Sequence, residues 1–196
     1  GGRNDAGASY VVFGKKDTAA IELSNVESGT GGFVINGKVA GDYAASVGTA
    51  GDFNGDGLND ILVGAPEADT SGADSGSAYL IFGKNNTLVV ELSKVEEGAG
   101  GFALNGVSAG HLLGLHSNGG GDINGDGYSD LVIGARGAAP NGADSGAAYV
   151  VYGVGRIGIL DKALEEVSTA QSKLGAVQNR LIHNNNNLSK SSKLTE

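Results

Sequence analysis

A fifteen-residue segment that occurs twice constrains this chain more than any other feature. Residues Gly51 through Ala65 (GDFNGDGLNDILVGA) return as Gly121 through Ala135 (GDINGDGYSDLVIGA), an offset of 70 residues. A second element, Gly7 to Gly14, returns at Gly76 to Gly83 and again at Gly146 to Gly153. A third, Ile21-Glu22-Leu23-Ser24 through Gly31-Gly32-Phe33-Val34-Ile35-Asn36-Gly37, returns from Val90 to Gly106. Units repeated in this way bury their apolar faces largely against one another. Within each unit the apolar runs are short, rich in Val, Ile, Leu, Tyr and Phe, and bounded by Gly, Asn, Asp or Ser. That pattern predicts strands over about 9–13, 33–35, 44–49, 60–64 and 78–82, and over their equivalents 70 residues on. Four strands per unit with radial repetition describe the blade of a propeller. A solenoid has shorter coils, and a sandwich gives no reason for this period.

Composition agrees with many tight turns. Glycine supplies 36 of the 196 residues, against a usual share of about 7%. The collagen period is missing, and 40% hydrophobic residues is too many for a disordered tail. With no cysteine, disulfides, thiolate metal sites and cysteine nucleophiles are excluded. No apolar run approaches the roughly 18 residues of a membrane span, and no signal peptide opens the chain. The missing initiator Met suggests a processed or excised piece.

Two regions differ in charge and glycine. Residues 1–155 hold 18 acidic and 7 basic residues, whereas 156–196 hold 4 and 6. All but two glycines, Gly158 and Gly175, precede Arg156. The acidic body argues against a nucleic-acid surface, which needs a basic stripe. It suits divalent cations, or simply solubility.

The acidic residues are patterned. Asp52, Asn54, Asp56 and Asp60 place side-chain oxygens at loop positions 1, 3, 5 and 9, and Leu58 at position 7 can offer its backbone carbonyl. Asp122, Asn124, Asp126, Tyr128 and Asp130 repeat the set. Calcium takes about six to eight oxygens at about 2.3–2.6 Å, and alternate positions on a tight loop converge them. Gly57 and Gly127 stand where a sharp turn calls for positive φ. Position 12 is Val63 or Ile133 rather than the bidentate Glu of an EF-hand, and a strand follows instead of a helix. The competing reading is a polar turn without a metal. Two copies of three Asp and one Asn at the same spacing would concentrate repelling carboxylates without purpose, so two calcium sites of structural role are expected.

These loops, with Ile61-Leu62-Val63-Gly64-Ala65-Pro66 and Tyr79-Leu80-Ile81-Phe82-Gly83, resemble FG-GAP repeats, the blades of integrin α-subunit propellers and of many bacterial surface proteins. Ala40-Gly41-Asp42 through Ser46-Val47 and Ala50-Gly51-Asp52 also fits. The resemblance covers about residues 5–153. It implies a calcium-loop β-propeller, extracellular, used for adhesion or ligand binding, with the loop positions just named as ligands. Three departures stand in the second copy: His111 at the Asp42 position, an added residue near Asn118-Gly119-Gly120, and Arg136 in place of Pro66. Propellers close with about seven blades in this family, whereas the chain holds two four-stranded units and part of a third. Raw sheet edges would result, so the chain is expected to be a fragment or to pack against something else, copies of itself included.

From Arg156 the pattern becomes helical. Leu160, Val167, Leu174, Leu181 and Leu188 recur every seven residues, with Ala163, Ala170 and Val177 between them, which makes an a/d stripe over a C-terminal amphipathic α-helix. It packs either on its own domain or, as a narrow stripe favours, on another helix, through self-association or a protein partner. Asn184 to Asn187 weaken the helix toward its end. Residues 156–190 resemble the C-terminal helix of bacterial flagellins, most distinctively in Leu174-Gly175-Ala176-Val177-Gln178-Asn179-Arg180-Leu181. In flagellins this helix pairs with an N-terminal helix in the filament core, and residues 1–155 would then belong to the outer, variable region of a longer chain.

An enzyme is not expected. His111, His116 and His183 form no zinc-spaced cluster, and no nucleophile elbow, P-loop or dinucleotide fingerprint occurs. Gly119-Gly120-Gly121 reads as a turn before the acidic loop. Two readings stand: a calcium-stabilised extracellular adhesion or ligand-binding module, and a structural subunit or fragment of a flagellin-like surface filament that displays the β region.

Overall fold

A computed structural model describes residues 6–143 and 145–155, and the fold below is that of the unit ending at Gly155. The stripe of Leu160, Val167, Leu174 and Leu181 lies outside the described residues.

The elements are β1 (Ala8–Val12), α1 (Leu23–Glu27), β2 (Gly32–Asn36), β3 (Ser46–Gly51), β4 (Asp60–Ala65), β5 (Ser77–Ile81), β6 (Val90–Glu91), α2 (Leu92–Glu96), β7 (Gly101–Asn105), β8 (Leu113–Gly121), β9 (Asp130–Ala135) and β10 (Ala147–Val151). They form a four-stranded sheet in the order β3-β4-β5-β7, flanked by two three-stranded sheets, β1-β2-β6 and β10-β9-β8. All pairings are antiparallel except β2 with β6. No helix among the described residues is long and apolar enough to cross a membrane.

Among the described residues the middle sheet alone has four strands, where about two four-stranded units and a fraction were expected. The 70-residue offset explains the difference. Strands β8, β9 and β10 match β3, β4 and β5, but no copy of the Gly101–Gly106 sequence follows β10. Strands β1 and β2 match β5 and β7, the last two strands of a unit, and β6 joins them in parallel (Ile35↔Val90, Asn36↔Glu91). No closed ring forms among the described residues.

Side chains alternate across a strand, and here both sets are buried in the middle sheet. Val63, Ala65, Tyr79 and Ile81 pack with Phe33 and Ile35 of β2. Leu62, Ala78 and Leu80 pack with Leu131, Ile133 and Ala135 of β9. This two-sided burial is why β4 and β5 read as continuous apolar runs rather than alternating ones. Close approach also selects small residues. A Cβ at Gly64 would fall 1.9 Å from the Gly114 carbonyl oxygen of β8.

Two details differ from the sequence expectation. The short helices α1 and α2 lie where no helix was expected, and bury Val26, Leu92 and Val95. The added residue near Asn118 is absorbed in β8, whose register against β9 shifts between Leu113 and Ser117 and again between Gly119 and Gly121.

Candidate metal centre

Both acidic loops join the edge strand of a sheet to its neighbour: residues 52–59 link β3 to β4, and 122–129 link β8 to β9. Gly57 and Gly127 take φ of 86° and 92°, the left-handed conformation expected at the turn. The first residue of each loop acts as an Asx cap. Asp52 accepts the Asp56 N–H on Oδ1 and the Gly57 N–H on Oδ2, both at 2.9 Å. Asp122 accepts those of Asp126 (3.0 Å) and Gly127 (2.9 Å), and the Gly125 N–H as well at 2.7 Å.

The Asp56 N–H is shared with Asn54 Oδ1 at 2.9 Å, so oxygens of positions 1 and 3 converge on one nitrogen. Asn124 does the same on Asp126. Asp56 in turn accepts from Asn54 Nδ2 (3.1 Å) and the Leu58 N–H (2.9 Å). Asp126 accepts from Asn124 Nδ2 and the Tyr128 N–H, both at 2.9 Å. Sequence patterning thus placed positions 1, 3 and 5 of each loop together, and the position-7 residue on the same turn.

Position 9 does something the sequence reading missed. Asp60 is buried, and its two oxygens accept the N–H groups of Phe53 (2.9 Å) and Gly83 (2.7 Å). Asp130 repeats this with Ile123 (2.7 Å) and Gly153 (2.8 Å). Each carboxylate therefore ties its loop to the start of one strand and the end of a neighbouring one. Burial raises the Asp60 pKa, opposed by the N–H groups of Gly83 and Phe53. The signal was available, since Gly83 and Gly153 stand 23 residues after their aspartates in both units. Spacing alone does not say which atom of a glycine is used.

The donors are all oxygens, a set that fits a hard cation, and each carboxylate keeps lone pairs beyond the hydrogen bonds it accepts. Among the described residues no three His, Asp or Glu side chains already stand as a cluster able to hold a metal ion. Positions 1, 3 and 5 share one turn, while each oxygen of the position-9 carboxylate accepts a backbone N–H, one from its own loop and one from beyond it. A second acidic group escaped the sequence reading. Asp42, Glu67, Asp69 and Asp74 border a cleft of about 370 Å³ that also includes Lys38. Burial raises the Asp42 pKa there.

The FG-GAP repeat family matches residues 43–81 and 116–151, which cover most of the strands around both loops. The bacterial flagellin C-terminal helical region matches residues 157–196. Integrin alpha-5 of Xenopus laevis is 33% identical over 97 residues, 50% of this chain and 9% of that protein. Integrin alpha-6 of Gallus gallus is 32% identical over 133 residues, covering 67% and 11%. Integrin alpha-E of Mus musculus is 29% identical over 141 residues, covering 70% and 11%. The chain spans about a tenth of the length of these curated relatives. It carries two FG-GAP repeats, similar to those of integrin α chains, followed by a segment similar to the bacterial flagellin C-terminal helical region.

Proposed function

We propose that the β part is a calcium-stabilised, non-catalytic adhesion or ligand-binding module that works outside the cell or on a bacterial surface. The observation that carries this reading is the duplicate loop. Two segments 70 residues apart adopt one hydrogen-bond scheme that gathers oxygens of Asp52, Asn54 and Asp56, and of Asp122, Asn124 and Asp126, on one turn each. In this reading those side chains, with the Leu58 and Tyr128 carbonyls and with Asp60 and Asp130, hold one calcium ion per loop. The ion supplies charge neutralisation for three carboxylates per loop. The protein's own part is to hold the turn in shape and to join it, through Asp60 and Asp130, to the strands it links. Similarity to integrin α chains supports adhesion or ligand binding through protein partners, and the acidic surface supports no nucleic acid as partner.

Thermal melting tests the metal. Calcium is expected to raise the melting temperature of the chain, and Asp56→Ala combined with Asp126→Ala to abolish the rise. A melting temperature that ignores both calcium and chelator would remove the assignment.

A second reading is favoured by one observation, the flagellin C-terminal match at residues 157–196. In this reading the chain is a structural subunit or fragment of a flagellum-like filament that displays the β region, and the stripe of Leu160, Val167, Leu174 and Leu181 makes the protein contacts. Removal of residues 156–196 would then abolish concentration-dependent assembly. Identical sedimentation of the long and short chains at high concentration would argue for the first reading alone.

A further inference from the structure

The residue at position 7 of the second loop touches both loops. On its own loop, the Tyr128 N–H donates to Asp126 Oδ1 at 2.9 Å, and its carbonyl is one of the oxygens proposed for the second ion. Toward the first loop it presents its ring. A Cβ at Gly55 would fall 2.5 Å from Tyr128 Cε1 and 3.1 Å from Cδ1, so the ring rests on the turn just after Asn54. Leu58, the first loop's own position-7 residue, is exposed, whereas Tyr128 is half-buried.

The following peptide makes a second link. The Tyr128 C=O and the Ser129 N–H are the two ends of one peptide group, and a trans peptide points them in opposite directions. The Ser129 N–H donates to the Asp52 carbonyl at 3.1 Å. Asp52 is the residue whose side chain accepts the Asp56 and Gly57 N–H groups and so shapes the first turn. A side chain at Gly51 would strike Ser129 Oγ, so the same segment also lies against the residue before Asp52.

Whatever fixes the Tyr128–Ser129 peptide on the second loop therefore fixes two contacts on the first. A cation at the Tyr128 carbonyl draws electron density to that oxygen and makes the N–H of the same peptide a better donor to Asp52. It also holds the ring over Gly55, which leaves less to be ordered when the first loop binds. We propose that Tyr128 and Ser129 couple the two loops, so that an ion on either one raises the affinity of the other about tenfold. The coupling rests on the calcium reading and adds to it that the two sites are not independent. Linkage makes the effect equal in both directions, so the order of the two site affinities is unchanged.

Calcium titration by calorimetry of the parent chain, Asp56→Ala and Asp126→Ala tests this. For independent sites, the product of the parent's two stepwise association constants equals the product of the constants of the single sites left in the two variants. The parent's product is expected to be about tenfold larger. When all three proteins also carry Tyr128→Ala, which keeps the carbonyl and removes the ring, the excess should fall to about twofold or less. Gly55→Ala, whose Cβ displaces the ring, should lower the excess in the same way. Equal products in the parent set would overturn the coupling and leave the calcium reading standing, whereas absence of binding heat in the parent would overturn both. An excess that survives Tyr128→Ala and Gly55→Ala would also overturn the proposal, because the loops would then communicate by another route.

Discussion

The loop at 52–60 and the loop at 122–130 share almost every hydrogen bond and differ in what covers them. Phe53 of the first is 3% exposed, while Ile123, its counterpart, is 50% exposed. The following repeat forms the roof of the first loop: the Ser129 N–H donates to the Asp52 carbonyl and the Val154 N–H to the Phe53 carbonyl, both at 3.1 Å. The Tyr128 ring lies so close to Gly55 that a Cβ there would fall 2.5 Å from Tyr128 Cε1. Asn54 is buried as a result, and Asn124 is exposed. The same contrast runs through the strands. Every residue of β5 is buried, whereas β10, its counterpart one repeat on, is exposed or half-exposed throughout. Shape at this level is local, and protection comes from the neighbouring unit.

Four perturbations break or sharpen the contrast. The largest effect is expected from Leu80→Ala, which leaves a cavity between two sheets and should cost about 3 kcal/mol of unfolding free energy in urea titration. Val150→Ala, the matching change in the exposed strand, should cost less than about 1 kcal/mol. Equal costs would mean that the third sheet is covered as well as the middle one.

Next comes Asp60→Ala. It leaves the Phe53 and Gly83 N–H groups without their carboxylate, a loss of about 2–3 kcal/mol even in chelator. Asp56→Ala, in the more exposed part of the same loop, should cost about 1 kcal/mol in chelator. If both aspartates matter only when calcium is present, the fastening role of Asp60 is lost.

A smaller effect separates the two loops in metal affinity. The roofed loop has less to order on binding, so the protein with Asp126→Ala should retain a site about tenfold tighter than the one retained with Asp56→Ala. Equal affinities would show that the roof is irrelevant to binding.

The smallest effect concerns pH. Burial holds the Asp42 carboxyl above its ordinary pKa of 3.8. A raised folded-state pKa favours the folded state below the unfolded value, and that benefit is lost as pH rises through the folded value. Asp42→Asn should therefore stabilise the chain at neutral pH, with the gain fading as pH falls toward 3.8. A gain that stays constant across this range would contradict the assignment to Asp42.

Much of this was legible from residue chemistry at short range. Asp, Asn and Gly at fixed spacing specify the turn, its positive φ at Gly57 and Gly127, and the oxygens gathered on it. Strand positions follow from short apolar runs, although β3 begins at Ser46 rather than at 44 because Tyr43 turns at φ 49° and the Ala45 N–H bonds back to its carbonyl. The five-residue helices were beyond reach. Leu92 and Val95 show only one helical spacing, too little for a periodicity to emerge. The two-residue β6 was invisible for the same reason. Nor could the sequence distinguish buried SAYLI from exposed AAYVV, because that difference lies in which sheet stands opposite. The backbone partners of Asp60 and Asp130 escaped as well, since the repeated spacing to Gly83 and Gly153 does not say that a glycine N–H is used.

Calcium titration by calorimetry on the chelator-stripped chain bears most directly on the claim that the duplicated loop is a duplicated metal site. Two ions per chain with unequal affinities are expected, one site lost in Asp56→Ala, the other in Asp126→Ala, and both in the double variant. Absence of binding heat in the parent chain, or binding that survives in the double variant, would contradict it.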